Sequence, residues 1–165
     1  MKRPWKLGTA LLLALCACED GFLVIRTGVF AGSGFCSAMI NDANWNCSQS
    51  SGQISGGGII IIFGTGRDPF GRQVDLSLTM HSTVGSAAQR IGADDVVSAE
   101  VVMYDYGQPS TWSASGSRGS GTFRLTSLTA ESAAGTFEFA APSTTQSMAA
   151  TTYRITSGTF NVQLR

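Results

Sequence analysis

The chain has 165 residues, 43% of them apolar, with eleven basic and eleven acidic side chains. That balance excludes the basic footprint of a nucleic-acid binder, and the apolar share excludes a disordered chain despite abundant Gly, Ser and Thr. The length suits one ordinary domain.

At the N-terminus, Lys2, Arg3 and Lys6 surround the start of an apolar run, Leu7 to Ala17. The run is too short for a bilayer core, which needs about 20 residues, and it reads as the helical core of a signal peptide. Its end, Leu15-Cys16-Ala17-Cys18, resembles the lipobox of bacterial lipoproteins. The resemblance implies cleavage after Ala17 and diacylglyceryl modification of Cys18, with an acylated (palmitate-type) amine. Two or three acyl chains hold a protein stably on a membrane. Glu19, rather than Asp, follows the cysteine, which favours the outer membrane in a Gram-negative cell. Without residues 1–17 the chain keeps eight arginines and no lysine against eleven acids, a net charge near −3.

Residues 18–21 are then a short tether, and 22–165 a single β domain. Phe22-Leu23-Val24-Ile25 is apolar enough to pair as a strand near 22–30, which would hold the domain close to the lipid headgroups. The competing reading makes residues 19–34 one flexible tether.

Cys36 and Cys47 flank two extended runs joined through Asn41-Asp42. A two-residue turn there sets 40 against 43 and therefore 36 against 47, within disulfide reach. An exported chain meets an oxidising compartment, so a Cys36–Cys47 bridge is expected.

Beyond the hairpin, alternation with period two dominates. Val74, Leu76, Leu78 and Met80 share one face; Phe137 and Phe139 alternate with polar residues, as do Phe160, Val162 and Leu164. Ile59 to Phe63 is apolar on both faces and reads as a central strand covered on both sides. About ten strands are expected, near 22–30, 35–40, 45–54, 58–63, 73–82, 97–106, 110–116, 121–128, 133–140 and 152–164, with a short edge strand within 84–95. Such strands with Gly- and Ser-rich turns predict an all-β antiparallel sandwich or, alternatively, a flattened barrel. Gly-Thr-Phe recurs at 121–123, 135–137 and 158–160, and is read as strand openings with an inward Phe.

Ala38-Met39-Ile40-Asn41-Asp42-Ala43-Asn44-Trp45, Gly135-Thr136-Phe137-Glu138-Phe139 and Ile155 to Val162 (ITSGTFNV) resemble the opening hairpin and closing strands of a family of uncharacterised bacterial lipoproteins. Asp42 stands where that family has Gly. The resemblance spans most of 35–164 and implies a sandwich-like fold and an envelope location. It brings no reaction and no catalytic residue.

Chemistry is sparse in the sequence. The lone His81 lies on a polar strand face, and no nucleophile–base arrangement is visible. Asp68 and the Asp94-Asp95 pair sit in turns where oxygen ligands can gather around calcium, although solvated turn carboxylates look the same in sequence. Arg67, Asp68, Phe70 and Arg72 form the most chemically mixed loop. Trp45, Trp112, Tyr104, Tyr106 and Tyr153 are the aromatic residues from which a sugar-stacking or protein-contact platform could be built, and Tyr104, Tyr106 and Trp112 around Gly107–Pro109 are candidates for a surface aromatic cluster. Trp45, beside the hairpin, reads as core.

The leading expectation is a non-enzymatic, envelope-anchored module with a protein or glycan partner, no nucleic acid and no cofactor. A hydrolase of envelope polymers using Asp75, Glu100 or Asp105 is the alternative, and a purely structural component the third.

Overall fold

The computed structural model describes residues 34–92, 96–144 and 151–165. The signal-like segment, Cys18, the tether and the strand expected near 22–30 lie outside these residues, as do Asp94 and Asp95.

Ten strands are formed: β1 Gly34–Ile40, β2 Ala43–Ser55, β3 Ile59–Arg67, β4 Gln73–His81, β5 Gln89–Ile91, β6 Val97–Asp105, β7 Gln108–Ala114, β8 Ser120–Leu128, β9 Ser132–Pro142 and β10 Thr152–Gln163. The expected edge strand within 84–95 is β5, only three residues long. All belong to one antiparallel sheet in the order β5-β8-β9-β10-β1-β2-β3-β4-β6-β7.

The sheet curls until its two ends nearly meet. At one end of the seam Trp112 of β7 bridges to Ser143 beyond β9, and the Thr144 N–H donates to the Thr111 carbonyl at 2.9 Å. At the other, the Gly92 N–H beside β5 reaches the Val97 carbonyl of β6 at 3.2 Å. The all-β antiparallel expectation is thus met in the form of a flattened barrel. Closure leaves almost no unpaired edge.

A curled sheet has one interior, and the period-two pattern decides what fills it. Val74, Leu76, Leu78 and Met80 of β4 point in, as do Val97, Ala99, Val101 and Met103 of β6 and Ile60 and Ile62 of β3. The β3 run is central, between β2 and β4, but among the described residues it is covered on one side only. Ile59, Ile61 and Phe63 are half-buried on the outer face, because a single curled sheet supplies no second layer outside it.

The β1–β2 hairpin has the predicted register: Ala38 faces Trp45 and Ile40 faces Ala43. Asn41 (φ 48°) and Asp42 (φ 65°) both take the left-handed conformation, as a two-residue type I′ turn requires. Cys36 and Cys47 are disulfide-bonded, their Cα atoms 5.4 Å apart.

The Gly-Thr-Phe segments differ from expectation in place. Only Gly121 lies near a strand start; Gly135 and Gly158 sit inside β9 and β10. Each glycine faces a phenylalanine on the neighbouring strand: Gly121 opposite Phe139, Gly135 opposite Phe160, Gly158 opposite Phe137. A Cβ at any of the three would collide with its partner. The missing side chain lets a ring lie over bare backbone, so Phe123, Phe137 and Phe160 gather into one cluster with centroids 5.8 and 6.3 Å apart.

Candidate functional site

One end of the barrel carries two facing turns, and local chemistry fixes both. Asp68-Pro69-Phe70-Gly71 joins β3 to β4. Proline at its second position and glycine (φ 80°) at its fourth are the residues such a turn favours. The Asp68 side chain holds it: Oδ1 accepts the backbone N–H groups of Phe70 and Arg72, each at 2.9 Å. Oδ2 takes Nε and Nη2 of Arg72 at 2.8 and 2.7 Å. Every strong acceptor direction of Asp68 is therefore used. The Asp68 contact also raises the Arg72 pKa above its already high ordinary value. Arg67 Nη1 closes the loop onto the Gly71 carbonyl at 2.6 Å.

The second turn, Tyr106-Gly107, joins β6 to β7. Asp105 pairs with Gln108, and Tyr106 (φ 48°) and Gly107 (φ 79°) again form a type I′ pair. Tyrosine is an unusual choice at a left-handed position, where Asn or Gly fits without strain. Its side chain is 99% exposed.

The turns frame a cleft of about 480 Å³ lined by Arg67, Phe70, Arg72, Gln73, Tyr104, Asp105 and Tyr106 among others. Cross-strand register brings the wall residues together: Arg67 faces Gln73, and Gln73 faces Tyr104. Phe70 is 80% exposed, with the Arg72 guanidinium 5.2 Å from its ring centre. Below the cleft, and sharing Phe70 and Arg72 with it, a smaller cavity of about 120 Å³ enters the barrel between Ile40, Trp45, Val74, Met103 and Tyr153. Burial raises the Tyr153 pKa, so its hydroxyl stays protonated; it donates weakly to Met103 Sδ at 3.2 Å.

Of the residues singled out in the sequence, Arg67, Phe70, Arg72, Tyr104 and Tyr106 meet in this mouth, with Asp68 as its brace. Trp112 does not. It is 2% exposed, stacks on Tyr153 with centroids 4.0 Å apart, and its indole N–H donates to the Thr151 carbonyl at 3.2 Å. The alternation explains this: Ser110, Trp112 and Ala114 point inward together, and two small neighbours make room for the indole. Trp45 is buried as expected, yet it also walls the inner cavity, as Tyr153 does. Tyr153, one of the aromatic residues singled out in the sequence, lines the inner cavity; Gln73 carries no sequence signal for the site beyond its strand phase.

The three acids of the hydrolase reading do not share a cavity. Asp105 lies at the mouth, whereas Asp75 and Glu100 stand on the outer faces of β4 and β6. Asp75 accepts from Thr65 at 2.6 Å and from Gln73 at 3.1 Å. Glu100 is half-buried opposite Ser77, and its pKa is raised by lost hydration. Neither acid lines either cavity. Among the described residues no cluster of His, Cys, Asp or Glu is arranged for a metal ion, and the calcium reading of Asp68 gives way to its pairing with Arg72. Compared with known proteins, the chain matches no family model, no curated protein and no solved structure.

Proposed function

We propose that this chain is an envelope-anchored lipoprotein, held by Cys18 to the outer membrane of a Gram-negative cell, whose barrel mouth is a binding site for an envelope glycan. The observation that carries the reading is Tyr106. A fully exposed aromatic residue in a left-handed turn position carries a backbone cost of order 1–3 kcal/mol with no packing return. Such cost at a rim beside exposed Phe70 fits selection for contact with a partner. Aromatic faces with nearby guanidinium and amide donors suit sugar rings, which present C–H faces and hydroxyl edges. The Cys36–Cys47 bridge agrees with an exported chain, and the resemblance of the hairpin and closing strands to envelope lipoproteins points the same way.

The test is retention of the purified full-length protein, kept in detergent so that its acyl chains are occupied, on envelope glycan stripped of lipid from its own cells. Wild-type protein should be retained, and Tyr106→Ala with Phe70→Ala should weaken retention at least tenfold without loss of fold. Equal retention of the double variant overturns the mouth as the binding site.

A further inference from the structure

Trp45, one of the residues that line the cavity below the mouth, carries a donor with nothing to donate to. Trp45 is 1% exposed, and its Nε1 has no hydrogen-bond partner among the described residues. Most buried indole N–H groups find one, because leaving a donor dry costs about 1–3 kcal/mol. The indole lies along two glycines of β3. Its Cη2 tip is over Gly64, and Nε1 is at Gly66, 2.9 Å from where a Cβ would stand. Gly66 is the nearer of the two to the Asp68–Arg72 loop, so the N–H end is the end toward the mouth.

Three properties of the cavity define what would complete it. Its volume of about 120 Å³ is that of about four waters at about 30 Å³ each, hence about four heavy atoms of a ligand. Ile40, Val74 and Met103 make its lining largely apolar, which asks for a methyl or similar group. The charged residues at its opening are Asp68 and Arg72, already paired with each other. A carboxylate or phosphate inside it would meet the Asp68 charge, and Arg72, the cation of its lining, is already paired, while Arg67 stands in the outer cleft. The acceptor must therefore be neutral.

We infer that this cavity receives the acetamido group of an N-acetylated amino sugar, its carbonyl accepting the Trp45 indole N–H. The methyl packs against Ile40, Val74 and Met103. The pyranose ring lies in the larger cleft against Phe70 and Tyr106, with Arg67 and Gln73 within the same wall to meet its hydroxyls. This rests on the mouth being a glycan site and names the class of glycan. It explains why the inner cavity opens into the cleft under Phe70 instead of being filled by a larger side chain.

The test compares fully N-acetylated chitotetraose (chitotetraose below) with cellotetraose, which has the same rings and linkage but a hydroxyl in place of each acetamido group. Each is titrated into the full-length protein, ¹⁵N-labelled and in detergent, and the tryptophan indole resonances are followed. Chitotetraose should shift the Trp45 indole N–H, leave that of Trp112 in place, and bind at least tenfold more tightly than cellotetraose. Trp45→Phe should lower chitotetraose affinity at least tenfold; should that variant fail to fold, the wild-type Trp45 resonance decides alone. Equal binding of the two sugars with an unmoved Trp45 overturns the acetamido pocket and leaves a general sugar site. No binding of either overturns the inference, while dependence of envelope retention on Tyr106 would still uphold the mouth as a site.

Discussion

Gly158 of β10 lies directly opposite Phe137 of β9, and the ring occupies the space in which a Cβ would stand. The pairing is reciprocal one step further on, where Gly135 of β9 receives the Phe160 ring of β10. Two strands therefore lock through glycine–phenylalanine pairs pointing in opposite directions. Replacing Gly158 with Ala should destabilise the protein by about 1–3 kcal/mol, as overpacking does in a filled core. Urea unfolding of the variant checks it; unchanged stability would mean that the ring moves aside freely.

The disulfide closes a short loop at the start of the barrel. Cys36→Ala with Cys47→Ala should lower stability by about 2–4 kcal/mol in the loop-entropy account, with the strands retained by circular dichroism. Non-reducing peptide mapping should recover Cys36 linked to Cys47. Finding both thiols free in exported protein contradicts the bridge.

The hairpin turn separates two residue roles that sequence alone merges. Asp42 has φ 65°, a conformation that glycine adopts without penalty, so Asp42→Gly should stabilise by about 0.4–1 kcal/mol. Asn41 is different, since its Oδ1 accepts the Arg154 N–H at 2.8 Å and its own N–H donates to the Arg154 carbonyl. Asn41→Gly removes the first of these bonds and should cost about 1 kcal/mol. Thermal melts of the two variants should move in opposite directions.

Glu100 predicts a pH dependence of definite sign. Burial raises its folded-state pKa above the ordinary 4.5, so the folded protein holds this proton more tightly than the unfolded chain does. Stability from this group is present at low pH and falls as pH rises from about the ordinary carboxylate value through the raised one. Glu100→Gln should remove that decline and raise the melting temperature at neutral pH. A variant that melts lower at pH 7 than wild type would show that the carboxylate has a favourable partner.

The proposed lipid anchor rests on the lipobox-like Leu15-Cys16-Ala17-Cys18. Cys18→Ala should move the protein from the membrane to the soluble fraction on cell fractionation. Complete membrane retention of the variant would place the anchor elsewhere.

Strand phase was the most legible layer of the sequence, because each alternating run has only one face that can enter a core. The β1–β2 register was legible for the same reason, with the turn and the cysteine spacing agreeing. Closure was not: the inward faces of a sandwich and of a curled sheet alternate identically, and the seam contacts, Thr144 to Thr111 and Gly92 to Val97, are what distinguish them. Trp112 was hidden because its Ser- and Thr-rich setting reads as surface, although Ser110 and Ala114 are small to admit the indole. The mouth was legible through the odd mixture of Arg67, Asp68, Phe70 and Arg72. The contribution of Trp45 was not, since an orphaned N–H is a property of surroundings, not of sequence.

The place of β10 between β9 and β1 has a consequence for assembly. Strands β1 to β4, β6 with β7, and β8 with β9 can form hairpins as they appear, with β5 pairing later to β8, but β1 and β9 gain their shared neighbour only when β10 slots between them. Until then β1 and β9 each present a full row of unsatisfied amides and carbonyls, the templates on which chains stack into aggregates. Loss of β10 would leave those templates permanently open, so truncation within residues 152–163 should yield a chain that quality-control proteases clear.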